Sequence, residues 1–310
     1  MSRFWHEAVQ NPHPHALVIV VDSQGSAPGK TGFKMVVCAD GRVTGTIGGG
    51  IMELELAREL AGALTAGRTG SWMLTRIHNN KAPVELRSGM ICAGSQTMVV
   101  HILGSDDYRT TADLANAELV GEDLSLISTP AGIRCAHHPS EPAGLTRGED
   151  GDWCYVESIS TPICYIIGAG HVGLAIARTL SLLDFRLLVI DDRPNLAQLA
   201  RFTCPTRILP YEQLDEVVLP GPQSHAVIVT TAAASDAVAL TRLAPMHLAY
   251  LGLMGSKAKL RFIFDQVRAA GVDPDHLARV QAPMGLPINN RTPAEIAVSL
   301  AAQIIKLRNG

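Results

Sequence analysis

The segment that most constrains this chain runs from Ile163 to Arg178. An apolar stretch, Ile163-Cys-Tyr-Ile-Ile167, enters the turn Gly168-Ala-Gly170-His-Val-Gly173, and an apolar helical pattern follows. A second apolar run begins at Arg186 and ends in Asp191-Asp192. Strand, glycine turn, helix and acid-terminated strand are the ordered parts of a dinucleotide-binding βαβ unit. Each glycine has its own physical reason. Gly168 permits the tight turn, Gly170 lets backbone approach a pyrophosphate, and Gly173 allows close helix–strand packing. The helix N-terminus offers free N–H groups and partial positive charge to phosphates. Asp191 or Asp192 lies where a carboxylate accepts hydrogen bonds from ribose hydroxyls. His171 reads as a helix-start residue. The pattern argues for a fold, and a bound nucleotide is a separate claim.

At 310 residues the chain has room for about two domains. Apolar residues make up 47% and charged residues 18%, enough to bury substantial cores. A net charge of −3 with no basic run argues against nucleic acid as the main partner. The longest apolar stretches, such as Ala16–Val21, are too short to span a bilayer. Met1 to Glu7 lacks a signal-peptide pattern. A cytoplasmic protein with no membrane partner is the expectation. The six cysteines are scattered without a C-x-x-C pair, so neither zinc spacing nor a small disulfide framework is present. Most of them should be buried small hydrophobes.

The stretch from Pro139 to Asp152 is rich in Pro, Gly and charge and reads as a surface loop or linker. It places the domain boundary near residue 157, with residues 1–157 as one domain and 158–310 as a second. In the first, α+β half, Ala16–Val21, Trp72–Ile77 and Gln96–Leu103 read as strands. Lys34–Cys38 and Arg42–Thr44 flank Ala39-Asp40-Gly41, a hairpin signal. Gly48-Gly49-Gly50 runs into a helical pattern from Met52 to Ala61. In the second half Ala226–Thr230 and Leu248–Leu253 read as strands. The last helix starts at Thr292-Pro293-Ala294-Glu295, with threonine as cap, proline first and glutamate closing a capping box. Ile296, Leu300, Ile304 and Leu307 then form one apolar stripe, expected to be core.

The glycine triplet is the second strong feature. A strand, then Gly48, Gly49 and Gly50, then a helix with Glu53 in its first turn, makes a cluster of N–H groups suited to a phosphate or another anion. Three glycines also serve a plain strand-to-helix corner, and the residues alone leave both readings open. Cys92, in Ser88-Gly89-Met-Ile-Cys92-Ala-Gly94, sits among small residues where a thiolate of lowered pKa is one reading. Leu253-Met-Gly-Ser-Lys257 suits either another anion corner or a plain turn with an exposed Lys257, and it lacks Walker spacing. His137-His138 reads as surface histidines. No G-x-S-x-G elbow is present to support a Ser-His-Asp hydrolase.

Taken in order, Gly25-Ser-Ala-Pro28, Gly45-Thr-Ile-Gly48-Gly49-Gly50-Ile-Met-Glu53 and Cys92-Ala-Gly94 resemble the N-terminal domain of the XdhC/CoxI family. Ile167–Gly173, Asp191-Asp192-Arg193-Pro194, Tyr250–Ser256, Ala282–Pro287 and Thr292–Ser299 resemble that family's C-terminal Rossmann domain. The resemblance spans nearly the whole chain. It implies two α/β domains, the second doubly wound with a mainly parallel sheet. It also implies an accessory protein for xanthine dehydrogenase-like molybdenum hydroxylases. Such a protein binds the molybdenum cofactor (molybdopterin), shelters it while a cysteine desulfurase supplies a terminal sulfur, and delivers it to the hydroxylase. A maturation chaperone is expected rather than a turnover enzyme. Three departures stand out: Gly29 precedes Lys30 where a basic residue usually follows Pro28, Cys92-Ala93-Gly94 replaces Cys-Gly-Gly, and Thr231-Ala-Ala-Ala-Ser-Asp236 lacks an expected arginine and histidine.

The expected cofactor cradle is therefore Gly48, Gly49, Gly50 and Glu53 with Cys92 as a thiolate. Gly168, Gly170, Gly173, Asp191 and Asp192 form the expected dinucleotide-type site. Self-association into a homodimer is compatible with the apolar content. The rival reading is an NAD(P)-dependent oxidoreductase using the same turn, and a third is an assembly scaffold with a vestigial nucleotide site.

Overall fold

A computed structural model of the chain describes residues 4–11, 14–78, 94–148, 150–194 and 197–309. The chain divides into two compact units, Met1–Ser160 and Thr161–Gly310.

In the first unit, helix α1 (Phe4–Ala8) precedes strands β1 (His15–Gly25), β2 (Lys34–Cys38) and β3 (Val43–Gly45). Helix α2 (Gly50–Thr65), strands β4 (Gly70–Ile77) and β5 (Gly94–Ile102) and helix α3 (Ser105–Val120) follow. Four short strands complete it: β6 (Ser125–Thr129), β7 (Gly132–Ala136), β8 (Gly144–Arg147) and β9 (Trp153–Ser158). The main sheet has the order β3-β2-β1-β5-β4 and is antiparallel throughout. The Ala16–Val21 part of β1 is apolar without a break because both of its faces are covered. Ala16, Val18 and Val20 pack with Met52, Leu56 and Leu60 of α2, whereas Leu17, Ile19 and Val21 pack with α1, α3 and the small sheet. The β2–β3 hairpin turns at Ala39–Arg42 with Gly41 at φ 83°, as the Asp-Gly signal requires.

The supposed linker is not one. Pro139–Asp152 contains β8, paired antiparallel with β9 in a small sheet of order β7-β6-β9-β8. Its prolines and glycines serve turns inside the first unit, and Trp153 and Tyr155 of β9 are core residues.

The second unit begins with β10 (Ile163–Ile167), α4 (His171–Ser181) and β11 (Arg186–Asp191). Then come β12 (Thr206–Ile208), β13 (Gly221–Ile228), α5 (Ala233–Leu243), β14 (Leu248–Leu253), α6 (Lys257–Ala269), α7 (Pro274–Ala278) and α8 (Pro293–Asn309). The five strands are parallel in the order β12-β11-β10-β13-β14. The order reverses between β10 and β13, the position at which doubly wound sheets hold ligands beyond their carboxyl ends. Cys164 and Ile166 face α4 and α8; Tyr165 and Ile167 face α5, α6 and α7.

The last helix starts at its capping box. Thr292 Oγ1 accepts from Glu295 N (3.2 Å), and Glu295 Oε2 accepts from Thr292 N (3.0 Å). Its buried face is Ala297, Leu300, Ala301 and Ile304, and Leu307 is exposed, so the expected stripe leaves the core one turn early. Among the described residues no helix is long and apolar enough to cross a membrane.

Candidate functional site

In the first unit, two loops meet at one end of the main sheet. The corner after β3 carries Gly48, Gly49 and Gly50 at φ 123°, 75° and 76°, a left-handed run that only glycine adopts at low cost. A Cβ on Gly48 would stand 2.4 Å from Gly29 N, and one on Gly29 would stand 2.1 Å from Ile47 O, so the loops touch backbone to backbone. Gln96, on β5 and 1% exposed, ties them together. Its Nε2 donates to Ile47 O (3.0 Å) and its Oε1 accepts from Gly29 N (3.2 Å). His78 Nε2 lies 3.3 Å from the same Oε1. Burial holds the His78 imidazole below its usual pKa, against the hydrogen bond to Gln96.

Glu53 belongs to this corner in a role the sequence does not reveal. Its Oε2 accepts from Thr46 Oγ1 (2.6 Å), Ile47 N (2.9 Å) and Gly49 N (3.1 Å). The anion held by these donors is the chain's own carboxylate. The N-terminus of α2 itself has no side-chain cap, so the first helical N–H groups, from Gly50 to Met52, are the donors open to an outside anion. Cys92 lies outside the described residues. Among the described residues, His78 N donates to Gly94 O (2.8 Å) beside the same loops. The five described cysteines are free, and burial raises the pKa of each thiol. Gln96 and His78 were missed by sequence reasoning; the available signal was a polar pair of strand positions flanking the glycine-rich 88–94 segment.

In the second unit the glycine turn separates three roles. A Cβ on Gly168 (φ 115°) would stand 2.6 Å from Val229 O, and one on Gly173 would stand 2.1 Å from Gly168 O. Both glycines are required by packing. Gly170, the N-cap of α4, has φ −75° and ψ −171°, which any residue adopts, and an added Cβ would meet nothing within 4 Å. His171 is exposed at the first position of α4.

Asp191, one of the two carboxylates expected to read ribose, is turned inward and is 0% exposed. It accepts from Ala169 N (2.7 Å) and from Arg193 N (3.0 Å), Nε (2.8 Å) and Nη2 (2.8 Å). Burial pushes its carboxyl upward, but the Arg193 side chain, the two backbone donors and the guanidinium charge outweigh that and leave it below the ordinary range. Asp192 is exposed on the same turn.

Asp236 of α5 is also fully buried. It accepts from Thr230 N (3.2 Å) and Oγ1 (2.6 Å) and pairs with Lys259 Nζ (2.5 Å). The Thr231–Ala234 stretch therefore starts α5 on a cap without a side-chain bond, at Ala232. At Met254–Lys257, Ser256 Oγ accepts from Lys259 N and Lys257 is exposed. His137 and His138 are exposed, and among the described residues no three His, Cys, Asp or Glu side chains cluster to hold a metal.

Two family models match the chain: the XdhC and CoxI family over residues 8–77 and the XdhC Rossmann domain over residues 164–304. The uncharacterized protein YqeB of Escherichia coli (strain K12) is 29% identical over 299 residues, 96% of this chain and 44% of its own length. A probable xanthine dehydrogenase subunit from Bacillus subtilis (strain 168) is 28% identical over 150 residues, 47% of this chain and 43% of its own. The matched stretches thus span less than half of either curated relative. A crystal structure described as a xanthine dehydrogenase from Bacillus halodurans aligns with a TM-score of 0.79 at 20% identity, covering 99% of this chain and 95% of that one. At that identity the likeness is one of fold.

Proposed function

The chain belongs to the XdhC/CoxI family, and from that premise we propose that it is an accessory protein of a xanthine dehydrogenase-like molybdenum hydroxylase. In this reading it holds the molybdenum cofactor while a cysteine desulfurase supplies the terminal sulfur, then passes it to the hydroxylase. The observation that carries the reading is Gly170. Neither packing nor backbone conformation requires glycine there. The remaining physical reason is the approach of something outside the chain to the start of α4, where N–H groups and the helix dipole favour phosphate.

The first unit supports it with a second set of donors, Gly50 to Met52, presented by the left-handed glycines. Both corners suit the phosphate of a pterin cofactor or the pyrophosphate of its dinucleotide form. When bound, the cofactor supplies the redox-active metal and its exchangeable sulfur. In this reading the chain's residues orient it through phosphate, and Cys92 serves as a thiolate. The names of the Bacillus subtilis and Bacillus halodurans proteins support a xanthine dehydrogenase-like partner.

The test is anaerobic binding of purified molybdenum cofactor to the full chain, with NAD(H) titrated in parallel. Near-stoichiometric molybdopterin, reduced by Gly170→Val and by Cys92→Ser, is the expected result. Tight NAD(H) binding with hydride transfer to a carbonyl and no retained molybdopterin would replace this reading with the oxidoreductase one.

A further inference from the structure

A sheet edge exposes unpaired N–H and C=O groups, and proteins blunt it with short strands, prolines, bulges or a covering segment. Three of the four edges of the two five-stranded sheets are blunted. β3 and β12 have three residues each. β14 is covered by Gln281, whose N donates to Leu251 O (2.8 Å) and whose O accepts from Leu253 N (3.0 Å). β4 has none of these devices among the described residues. It is eight residues long, contains no proline and pairs with β5 without a register shift.

In an antiparallel pair, hydrogen-bonded and non-hydrogen-bonded positions alternate. His78 N donates to Gly94 O (2.8 Å), so 78 and 94 are a bonded pair, and counting back along β4 makes Ser71, Met73 and Thr75 non-bonded positions. The β1 side agrees. Leu103 N donates to His15 O (3.1 Å), so by the same alternation His101 bonds towards β1 and away from Ser71. The main-chain groups of Ser71, Met73 and Thr75 therefore face off the sheet, and among the described residues they have no partner.

A cleft of about 540 Å³ lies along this edge. Ser71, Trp72 and Met73 form one wall, and Pro130 with the turn from Arg147 to Trp153 forms the other. Asp150 and Asp152 on that turn are exposed and meet no basic side chain among the described residues; Arg147 is the opposing charge. We propose that the outer edge of β4 docks an extended segment of a partner protein, which pairs there as a sixth strand and sets a basic side chain over Asp150 and Asp152. Main-chain donors and acceptors repeating at every second residue are complementary to another extended backbone. Side chains of the added strand alternate between two faces. One set stands on the cleft side with the two carboxylates, and the other stands beside Trp72 and Leu74, which are half-buried on the α2 side. The segment therefore alternates lysine or arginine with β-branched or aromatic residues. This surface is independent of both glycine corners.

The experiment uses the full chain. By NMR-detected amide exchange, Ser71, Met73 and Thr75 should exchange at least about tenfold faster than the ladder amides of Trp72 and Leu74. A displayed library of random heptapeptides is then selected on the protein, and the selected sequence is synthesised. It should show the alternation with a lysine or arginine and should slow exchange of the three edge amides about tenfold. N-methylation of alternate peptide amides should abolish binding in one phase and spare it in the other, because only one set faces β4. Asp150→Asn with Asp152→Asn should weaken binding about threefold, an effect that fades with salt. Thr75→Pro removes an outward N–H and no ladder bond, and should abolish binding. If that variant does not fold, the two N-methylated peptides decide. The inference is overturned if the three amides are already protected in the free monomer, since the chain then covers its own edge. It is also overturned by a dimer in sedimentation that Thr75→Pro makes monomeric, since the occupant is then a second copy. Failure to select any peptide that protects the three amides overturns it as well.

Discussion

Glu53→Ala is the most informative perturbation of the first unit, because one oxygen of that side chain serves three donors. Ile47 is fully buried, so its N–H would be stranded at a cost of about 1–3 kcal/mol. Gly49 and Thr46 are half-buried and can turn to water. Losing a negative charge from the first turn of α2 adds about 0.3–1 kcal/mol, and alanine's helix propensity returns a few tenths. The sum is roughly 2–3 kcal/mol, which for a unit of this size lowers the unfolding midpoint by about 4–12 °C. The assay is unusually selective, since the three tryptophans, Trp5, Trp72 and Trp153, all lie in the first unit and fluorescence follows that unit alone. Inorganic phosphate should stabilise the variant more than the parent, because the vacated donors become an anion site. A midpoint within about 1 °C of the parent, with or without phosphate, would refute the claim that Glu53 occupies the corner.

Gly173→Ala places a Cβ 2.1 Å from Gly168 O and should destabilise the second unit by about 2 kcal/mol or more, whereas Gly170→Ala meets nothing and should leave stability within about 0.5 kcal/mol; hydrogen exchange of β10 and α4 separates the two. His101 is held by burial at a pKa of about 4, Asp107 pulling weakly the other way, and lies between Ser71 Oγ (2.7 Å) and Ser128 Oγ (2.7 Å). The unfolded chain binds the extra proton first, so this contribution is complete above pH 6.5 and is lost as pH falls towards 4, by roughly 3 kcal/mol. Fluorescence-monitored urea unfolding should show that slope, and His101→Gln should flatten it. Asp191 has a lowered pKa, so its stabilisation of the second unit is present above the ordinary aspartate range and lost as pH falls through the folded value. Asp191→Asn should cost about 2 kcal/mol at neutral pH by exchanging charge-assisted bonds for neutral ones, read by urea unfolding with far-ultraviolet dichroism, and equal midpoints at pH 7 would sink that assignment.

The second unit was legible because its signals are local. A glycine turn between two apolar runs admits few backbones, and strands buried on both faces show as unbroken apolar stretches such as Ile163–Ile167. What was not legible is where each carboxylate points. Glu53 and Asp191 sit at the sequence positions of ligand readers, yet both are consumed by backbone donors and, for Asp191, by Arg193 two residues on. That choice depends on tertiary distances that no spacing rule contains. Pro139–Asp152 misled for a related reason, since turn residues mark a bend in the chain and do not say whether a strand lies between two bends. Gln96 and His78 escaped notice because a buried amide earns its role only when two remote loops arrive beside it.

The covering of α4 by α8 sets an order of events during synthesis. The apolar side of α4, with Leu174, Ile176, Ala177 and Leu180, is completed by Leu300, Ala301 and Ile304 from the far end of the second unit. A ribosome makes β10, the glycine turn and α4 long before it makes α8. Until then the helix that follows the glycine turn has an uncovered oily flank. The first unit draws both of its cores from residues already emerged, so it can fold while the second waits. Formation of the two glycine corners is thereby ordered in time, with that at Gly48–Gly50 first and the turn at Gly168–Gly173 held in place only after translation has passed Ile304.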